Sequence, residues 1–127
     1  MKIQIIGLPG SGKTTVIKEF IKSNPKIKHL DIRNHPSRPG KNNKFAKEIL
    51  KSSGPLIAES ACGVNIRGAE VVRLQIPDEI CYKRVVERDG QLDEDYMSLL
   101  RYSMIPAKYT VRSQEALMQL LDNIFNG

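Results

Sequence analysis

The chain has 127 residues, 40% apolar and 27% charged, with 20 lysines and arginines against 14 acids for a net charge of +6. That is chain enough for one domain with one core and not for two, so a single domain over 1–127 is expected. No apolar run approaches the roughly 20 residues that cross a bilayer, and the opening Met1 to Ile6 is too short for a secretory core, so a cytoplasmic location is the default and the basic balance suits a polyanionic partner.

Residues 2–6 read as a buried strand. A helix follows from Lys13, with Val16, Ile17, Phe20 and Ile21 at helical spacing, and it ends near Ser23-Asn24-Pro25 because proline restricts the residue before it. Residues 27–31 read as a second strand and 33–43 as a loop. A second helix is expected over about 43–52, with Phe45, Ala46, Ile49 and Leu50 on one face and Gly54 as its stop. Pro55 to Glu59 is a third strand ending in a carboxylate. A short loop, Ser60 to Gly68, leads to a fourth strand over Glu70 to Ile76.

Pro77 opens the next helix, with Asp78 and Glu79 in the first turn where they complement the helix dipole. It runs to about Arg88 and breaks at Asp89-Gly90. Another begins near Asp93, with Tyr96, Leu99, Leu100, Ser103 and Met104 read on one face, and stops at Pro106. Residues 108–111 read as a fifth strand. The last helix carries Ala116, Leu117, Leu120, Leu121, Ile124 and Phe125. Strands alternating with helices argue for a parallel sheet covered on both faces.

Between the first strand and first helix stands Gly7-Leu8-Pro9-Gly10-Ser11-Gly12-Lys13-Thr14, followed by Thr15. It fits G-x-x-x-x-G-K-[ST] at every fixed position and in the strand-to-helix context the motif requires. Such glycines let backbone N–H groups wrap a phosphate, and the helix N-terminus adds partial positive charge. Lys13 is expected to reach the β- and γ-phosphates of a nucleoside triphosphate and the Thr14 hydroxyl to ligate Mg²⁺. A dinucleotide fingerprint fails, because Gly10-Ser11-Gly12 runs into Lys-Thr-Thr without the third glycine.

Phosphoryl transfer needs positioning and charge neutralisation. In an open parallel sheet both belong at the carboxyl ends of strands. Asp31, after strand two, is the first choice to deprotonate or orient an acceptor hydroxyl. Glu59, after strand three, is the choice for a water-mediated Mg²⁺ ligand or for a bond to the acceptor. Arg84 and Arg88 lie four apart on one helix and suit a clamp on the donor phosphates, Arg88 first because it sits at the helix break. Arg33, Arg38 and Arg67, read as loop residues on the same side, are candidates to grip an acceptor phosphate. Cys62 and Cys81 form no metal or redox spacing and are expected as reduced, partly buried thiols. His29 and His35 are expected as solvated loop residues. No aromatic-and-basic stripe marks a single-strand groove.

Taken together, the chain resembles the small P-loop kinases, the group of nucleoside monophosphate kinases and polynucleotide 5′-kinases. Val72 to Glu79 through Arg84-Val85-Val86-Glu87-Arg88 looks like their fourth strand and arginine-bearing lid helix. Tyr109-Thr110-Val111 with Ser113 to Leu117 looks like their final strand and closing helix. The resemblance implies a three-layer α/β/α P-loop NTPase fold, with a five-stranded parallel sheet in the order 2-3-1-4-5, and ATP with Mg²⁺ as donor. No guanine-reading Asn-Lys-x-Asp run is present.

Within the group, Pro9 to Lys13 with Glu19-Phe20-Ile21 and Asn24-Pro25, and Leu92 to Met104, look like the phage-type polynucleotide kinases. That implies a 5′-hydroxyl acceptor, with Asp31 and Arg33 or Arg38 beside it and Arg88 as the lid arginine. The chain departs from most relatives in the short segment Ser60 to Ala69 and the short lid Asp89 to Asp93. Two rivals are a nucleoside monophosphate or deoxynucleotide kinase and a non-catalytic nucleotide-binding module.

Overall fold

The structure is a computed structural model, and it describes residues 1–34 and 40–127. His35 and Arg38 lie outside the described residues. Five parallel strands form one sheet in the order β2-β3-β1-β4-β5: β1 (Lys2–Ile6), β2 (Lys28–Asp31), β3 (Leu56–Ser60), β4 (Glu70–Leu74) and β5 (Tyr109–Val111). The helices are α1 (Lys13–Lys22), α2 (Lys41–Lys51), α3 (Asp78–Asp89), α4 (Glu94–Ser103) and α5 (Gln114–Asn126). The expected order of strands and α-helices is the observed one, with a 3-10 turn over Ile32–Asn34 added where a loop was expected. α2 starts two residues earlier than periodicity indicated, at Lys41, just after Gly40, whose φ of 84° breaks the chain into it. β4 ends at Leu74 rather than Ile76.

Period-2 alternation sorts the strands between two faces. Ile3, Ile5, Ile57, Val72 and Leu74 point to one side and pack with Val16, Ile17 and Phe20 of α1 and Leu117 and Leu121 of α5. On the other side, Leu30, Leu56 and Ala58 meet Phe45 and Ile49 of α2, together with Val64. Burial on both faces explains why β1 and β3 read as near-continuous apolar runs.

The one buried polar side chain inside β1 is Gln4. Its amide donates to the Val64 carbonyl at 2.9 Å and accepts from the Val64 N–H at 2.9 Å. That pair pins the connection between β3 and β4, which holds no helix. The connection also bears on Arg67. In parallel strands the segment must return from the carboxyl end of β3 to the amino end of β4. By Arg67 it has nearly done so, and Arg67 is exposed and is not among the residues that line the cleft at the phosphate loop.

α3 and α4 pack over the phosphate loop through Leu8, Cys81, Val85 and Met97. This revises the reading of α4. Its buried face is centred on Met97, with Leu100 and Met104 beside it, whereas Tyr96 and Leu99 are 53% and 61% exposed. Asp93 caps the helix by accepting from the Tyr96 N–H at 3.0 Å, which fixes its start but not its rotation.

Candidate active site

The phosphate loop hangs from β1 by local chemistry. Gly10 and Gly12 take φ of 83° and 90°, the left-handed region that glycine enters without strain. A Cβ on Gly10 would also overlap the Cys81 carbonyl of α3. Gly10→Ala is therefore expected to cost at least about 1–3 kcal/mol from the backbone alone. Urea unfolding should show this loss together with weakened nucleotide binding. Wild-type stability in that variant would mean α3 is not seated on the loop. No side chain caps α1 and no acid stands in its first turn, the condition under which a helix N-terminus receives an anion.

Lys13, Thr14, Thr15, Pro9, Gly10 and Gly12 line a cleft of about 430 Å³. Asp31, Arg33, Glu59, Arg84 and Arg88 line it with them, so most of the residues singled out in the sequence meet here. Gly7 and Ser11 form the body of the loop instead. The Gly7 N–H donates to the Ala61 carbonyl at 3.2 Å, and the buried Ser11 hydroxyl has no partner among the described residues.

Asp31 and Glu59 are register neighbours on β2 and β3. Thr14 Oγ1 donates to Glu59 Oε2 and accepts from Arg33 Nη2 at 3.0 Å. The same guanidinium donates to Asp31, with Nη2 2.6 Å from Oδ2 and Nε 3.1 Å from Oδ1. It stands 3.8 Å from Glu59 Oε2. One positive charge thus sits among four oxygens.

Sequence reasoning missed His29. It is no solvated loop residue: it lies on β2, about one-fifth exposed, with Nε2 2.9 Å from Glu59 Oε1. Its position two before Asp31 on one strand was the available signal, since i and i+2 share a face. His29, Asp31 and Glu59 each offer a ligand atom, all within 4.8 Å of one another. Lys41, Ser60, Tyr96 and Leu100 also line the cleft, and none of them belongs to a recognisable motif.

The arginines divide. Arg84 Nη1 donates to the Gly10 and Ser11 carbonyls at 3.1 and 3.3 Å, gripping the loop itself. Arg88 pairs with Asp89 through Nε at 2.9 Å and Nη2 at 3.0 Å. From the far side, Gln114 Nε2 donates to the Gly12 carbonyl at 3.2 Å.

Burial pushes the Glu59 carboxyl up, but hydrogen bonds from His29 and Thr14 outweigh it and hold the group below its ordinary 4.5. Burial also raises Asp31, and the bonds and charge of Arg33 bring it below its ordinary 3.8. A carboxylate with a depressed folded pKa contributes stability above its unfolded value and loses it as pH falls through the folded one. Thermal stability should therefore drop on acidification from about pH 4.5 downward. It should drop less steeply in Asp31→Asn, and melting curves that fall in parallel would contradict this account.

Lys13 moves the other way: burial lowers its pKa, partly offset by the charge of Glu59. The residue is buried, and its hydrogen bond is a long one, 3.5 Å to the Leu8 carbonyl.

The fit to a cation is chemical. The Thr14 hydroxyl beside two carboxylates is a hard-oxygen donor set of the kind Mg²⁺ takes. Among the described residues no helix is long and apolar enough to cross a membrane. Cys62 and Cys81 are free thiols, half-buried and buried, and burial raises both.

Comparison with known proteins bears on the fold. A family model described as the viral superfamily 1 RNA helicase core domain matches residues 3–59, less than half of the chain. That stretch runs from β1 through the phosphate loop to Glu59. No curated protein matches.

Among solved structures, the shikimate kinase from Bacteroides thetaiotaomicron superposes with a TM-score of 0.67 at 16% identity, covering 100% of this chain and 99% of that one. A gluconokinase from Sinorhizobium meliloti 1021 gives 0.66 at 13% identity, covering 98% and 95%. The shikimate kinase from Acinetobacter baumannii, in complex with shikimate, gives 0.62 at 17% identity, covering 99% and 95%. The architecture of this chain is that of the P-loop kinases, a five-stranded parallel sheet in the order 2-3-1-4-5 with helices on both faces.

Proposed function

We propose that the chain is an ATP-dependent phosphotransferase that moves the γ-phosphoryl group of Mg·ATP to a nucleotide-type acceptor, with a polynucleotide 5′-hydroxyl favoured. The observation that carries the reading is the meeting of Lys13, Thr14, Asp31, Arg33 and Glu59 in one cleft at the carboxyl edge of the sheet. Lys13 and the loop amides hold the β- and γ-phosphates. The Thr14 hydroxyl, and Glu59 through water, hold Mg²⁺, which when bound neutralises charge on the phosphates. The Thr14 hydroxyl would serve the metal, and Arg33, which bonds that hydroxyl here, would serve the acceptor. Arg38 is proposed beside it. Arg67, exposed on the returning connection, has no place in this scheme.

In the transfer, the acceptor oxygen forms a bond to the γ-phosphorus while the bond from that phosphorus to the β–γ bridging oxygen breaks. ADP leaves and the hydroxyl proton passes to Asp31. With its pKa held down by Arg33, Asp31 orients the O–H well and accepts its proton more readily once Arg33 turns away. Arg84, already on the loop, and Arg88 at the end of α3 stabilise the charge on the moving group.

The polynucleotide acceptor rests on the resemblance of the loop and α4 segments to polynucleotide kinases. Two features support it. The connection between β3 and β4 brings no helix over the cleft, and the cleft wall carries Arg33, Lys41 and the exposed ring of Tyr96. A second reading, a kinase for a small acceptor, is favoured by the solved structures of similar fold, which include shikimate kinases and a gluconokinase.

Salt separates the two. Affinity for a 5′-hydroxyl oligonucleotide should fall as a steep power of salt concentration, because each neutralised phosphate releases a counterion. Saturation by shikimate, gluconate or a nucleoside monophosphate, with no transfer to the oligonucleotide, would replace the first reading by the second.

A further inference from the structure

A second cleft, of about 400 Å³, lies between the ends of β4 and β5 and the helices α3 and α4, and it shares no lining residue with the phosphate-loop cleft. The sheet builds one wall by alternation. Val72 and Leu74 enter the core beneath α1 and α5, so Arg73 and Gln75 take the opposite face. Arg73 is in register with Thr110, and Arg112, two residues on, follows the same side. α4 contributes Arg101 and Met104. Leu8, Ile76 and Cys81 give the apolar part of the lining.

The charges do not balance. Three arginines line the cleft against one aspartate. That aspartate, Asp78, is taken by Arg101 at 2.6 Å. Among the described residues no carboxylate pairs with Arg73 or Arg112. Arg73 Nη2 meets only the Met104 sulfur, at 3.1 Å, and a thioether is a weak acceptor. Its Nε is buried with no partner. A half-buried guanidinium over apolar side chains, without an acceptor oxygen, is costly and calls for an explanation. Its planar donors match carboxylate and phosphate oxygens.

We propose that this cleft is a second ligand site. It takes a small organic anion whose carboxylate or phosphate is held by Arg73 and Arg112 and whose apolar body rests on Leu8, Ile76 and Met104. Since the two clefts have no lining residue in common, the anion binds alongside the nucleotide and not in its place.

The test is calorimetric titration of the protein saturated with Mg²⁺ and a non-hydrolysable ATP analogue. Phenyl phosphate and benzoate serve as separate probes of the two anion types, and the Arg73 Nε–H resonance is followed in parallel. One equivalent of at least one probe should bind saturably and shift that resonance. Arg112→Gln, an exposed substitution, should weaken binding about tenfold, as loss of a charge-assisted pair does. Three results would each overturn the proposal: no saturation by either probe, binding unchanged in Arg112→Gln, or binding that vanishes when the phosphate loop is filled.

Discussion

Lys13→Met is expected to abolish phosphoryl transfer while leaving the folded protein as stable as the parent or more so. The residue is buried, burial depresses its pKa, and its hydrogen bond to the Leu8 carbonyl is long. A lysine whose folded pKa is lowered carries a cost for its charge at neutral pH, and a thioether of similar length removes that cost. Glu59 loses an attractive charge but keeps Thr14, His29 and Arg33. For catalysis the loss has no substitute, because a preorganised cationic donor in a dry site is worth about 10²–10³-fold in rate. The checks are thermal melting and steady-state transfer. A variant that transfers phosphate at the parent rate, or that melts several degrees lower, would show that Lys13 holds the loop together rather than waiting for a phosphate.

Glu59→Gln should separate metal from nucleotide. The amide that replaces the carboxylate still offers the Thr14 hydroxyl an acceptor oxygen, so the fold is retained, but the negative charge is gone. Outer residues that orient a metal-bound group typically cost 10–100-fold in affinity or activity when changed. The Mg²⁺ concentration for half-maximal transfer should therefore rise by about tenfold or more. Affinity for ATP measured without the metal should change little or improve, since one carboxylate no longer faces the phosphates. His29→Ala should show a smaller shift in the same direction, because His29 acts only by holding Glu59. Equal Mg²⁺ dependence in parent and Glu59→Gln would remove Glu59 from the metal scheme.

The parts of the molecule legible in the sequence were those dictated locally. The phosphate loop declares itself because its glycines answer to backbone geometry, with Gly10 pressed against the Cys81 carbonyl at a φ only glycine tolerates well. β1, α1 and α5 follow from periodicity, and Asp93 and Ser113 cap α4 and α5 with side-chain bonds to Tyr96 and Ala116. Asp31 and Glu59 were found because a strand's carboxyl end is where such a sheet gathers charge.

What failed needed tertiary information. α4 carries apolar residues almost all round, so periodicity alone did not set its rotation. Contact with Leu8 and Cys81 selected Met97 over Tyr96 and Leu99. Arg67 lies on a connection that must travel back along the sheet from β3 to β4, a distance its order in the chain does not show. Arg84 ranked behind Arg88 in the sequence, yet it is Arg84 that bonds the loop carbonyls while Arg88 is turned to Asp89. His29 was overlooked because a lone histidine is usually unremarkable, and its partner Glu59 is thirty residues away.

The most direct test of the central claim is transfer of labelled γ-phosphate from Mg·ATP to a panel of 5′-hydroxyl oligonucleotides, nucleoside monophosphates, nucleosides, shikimate and gluconate, with Lys13→Ala as control. Label on the oligonucleotides, lost in the control, is the predicted result. No label on any acceptor while ATP still binds would contradict the phosphotransferase reading and leave a nucleotide-binding module.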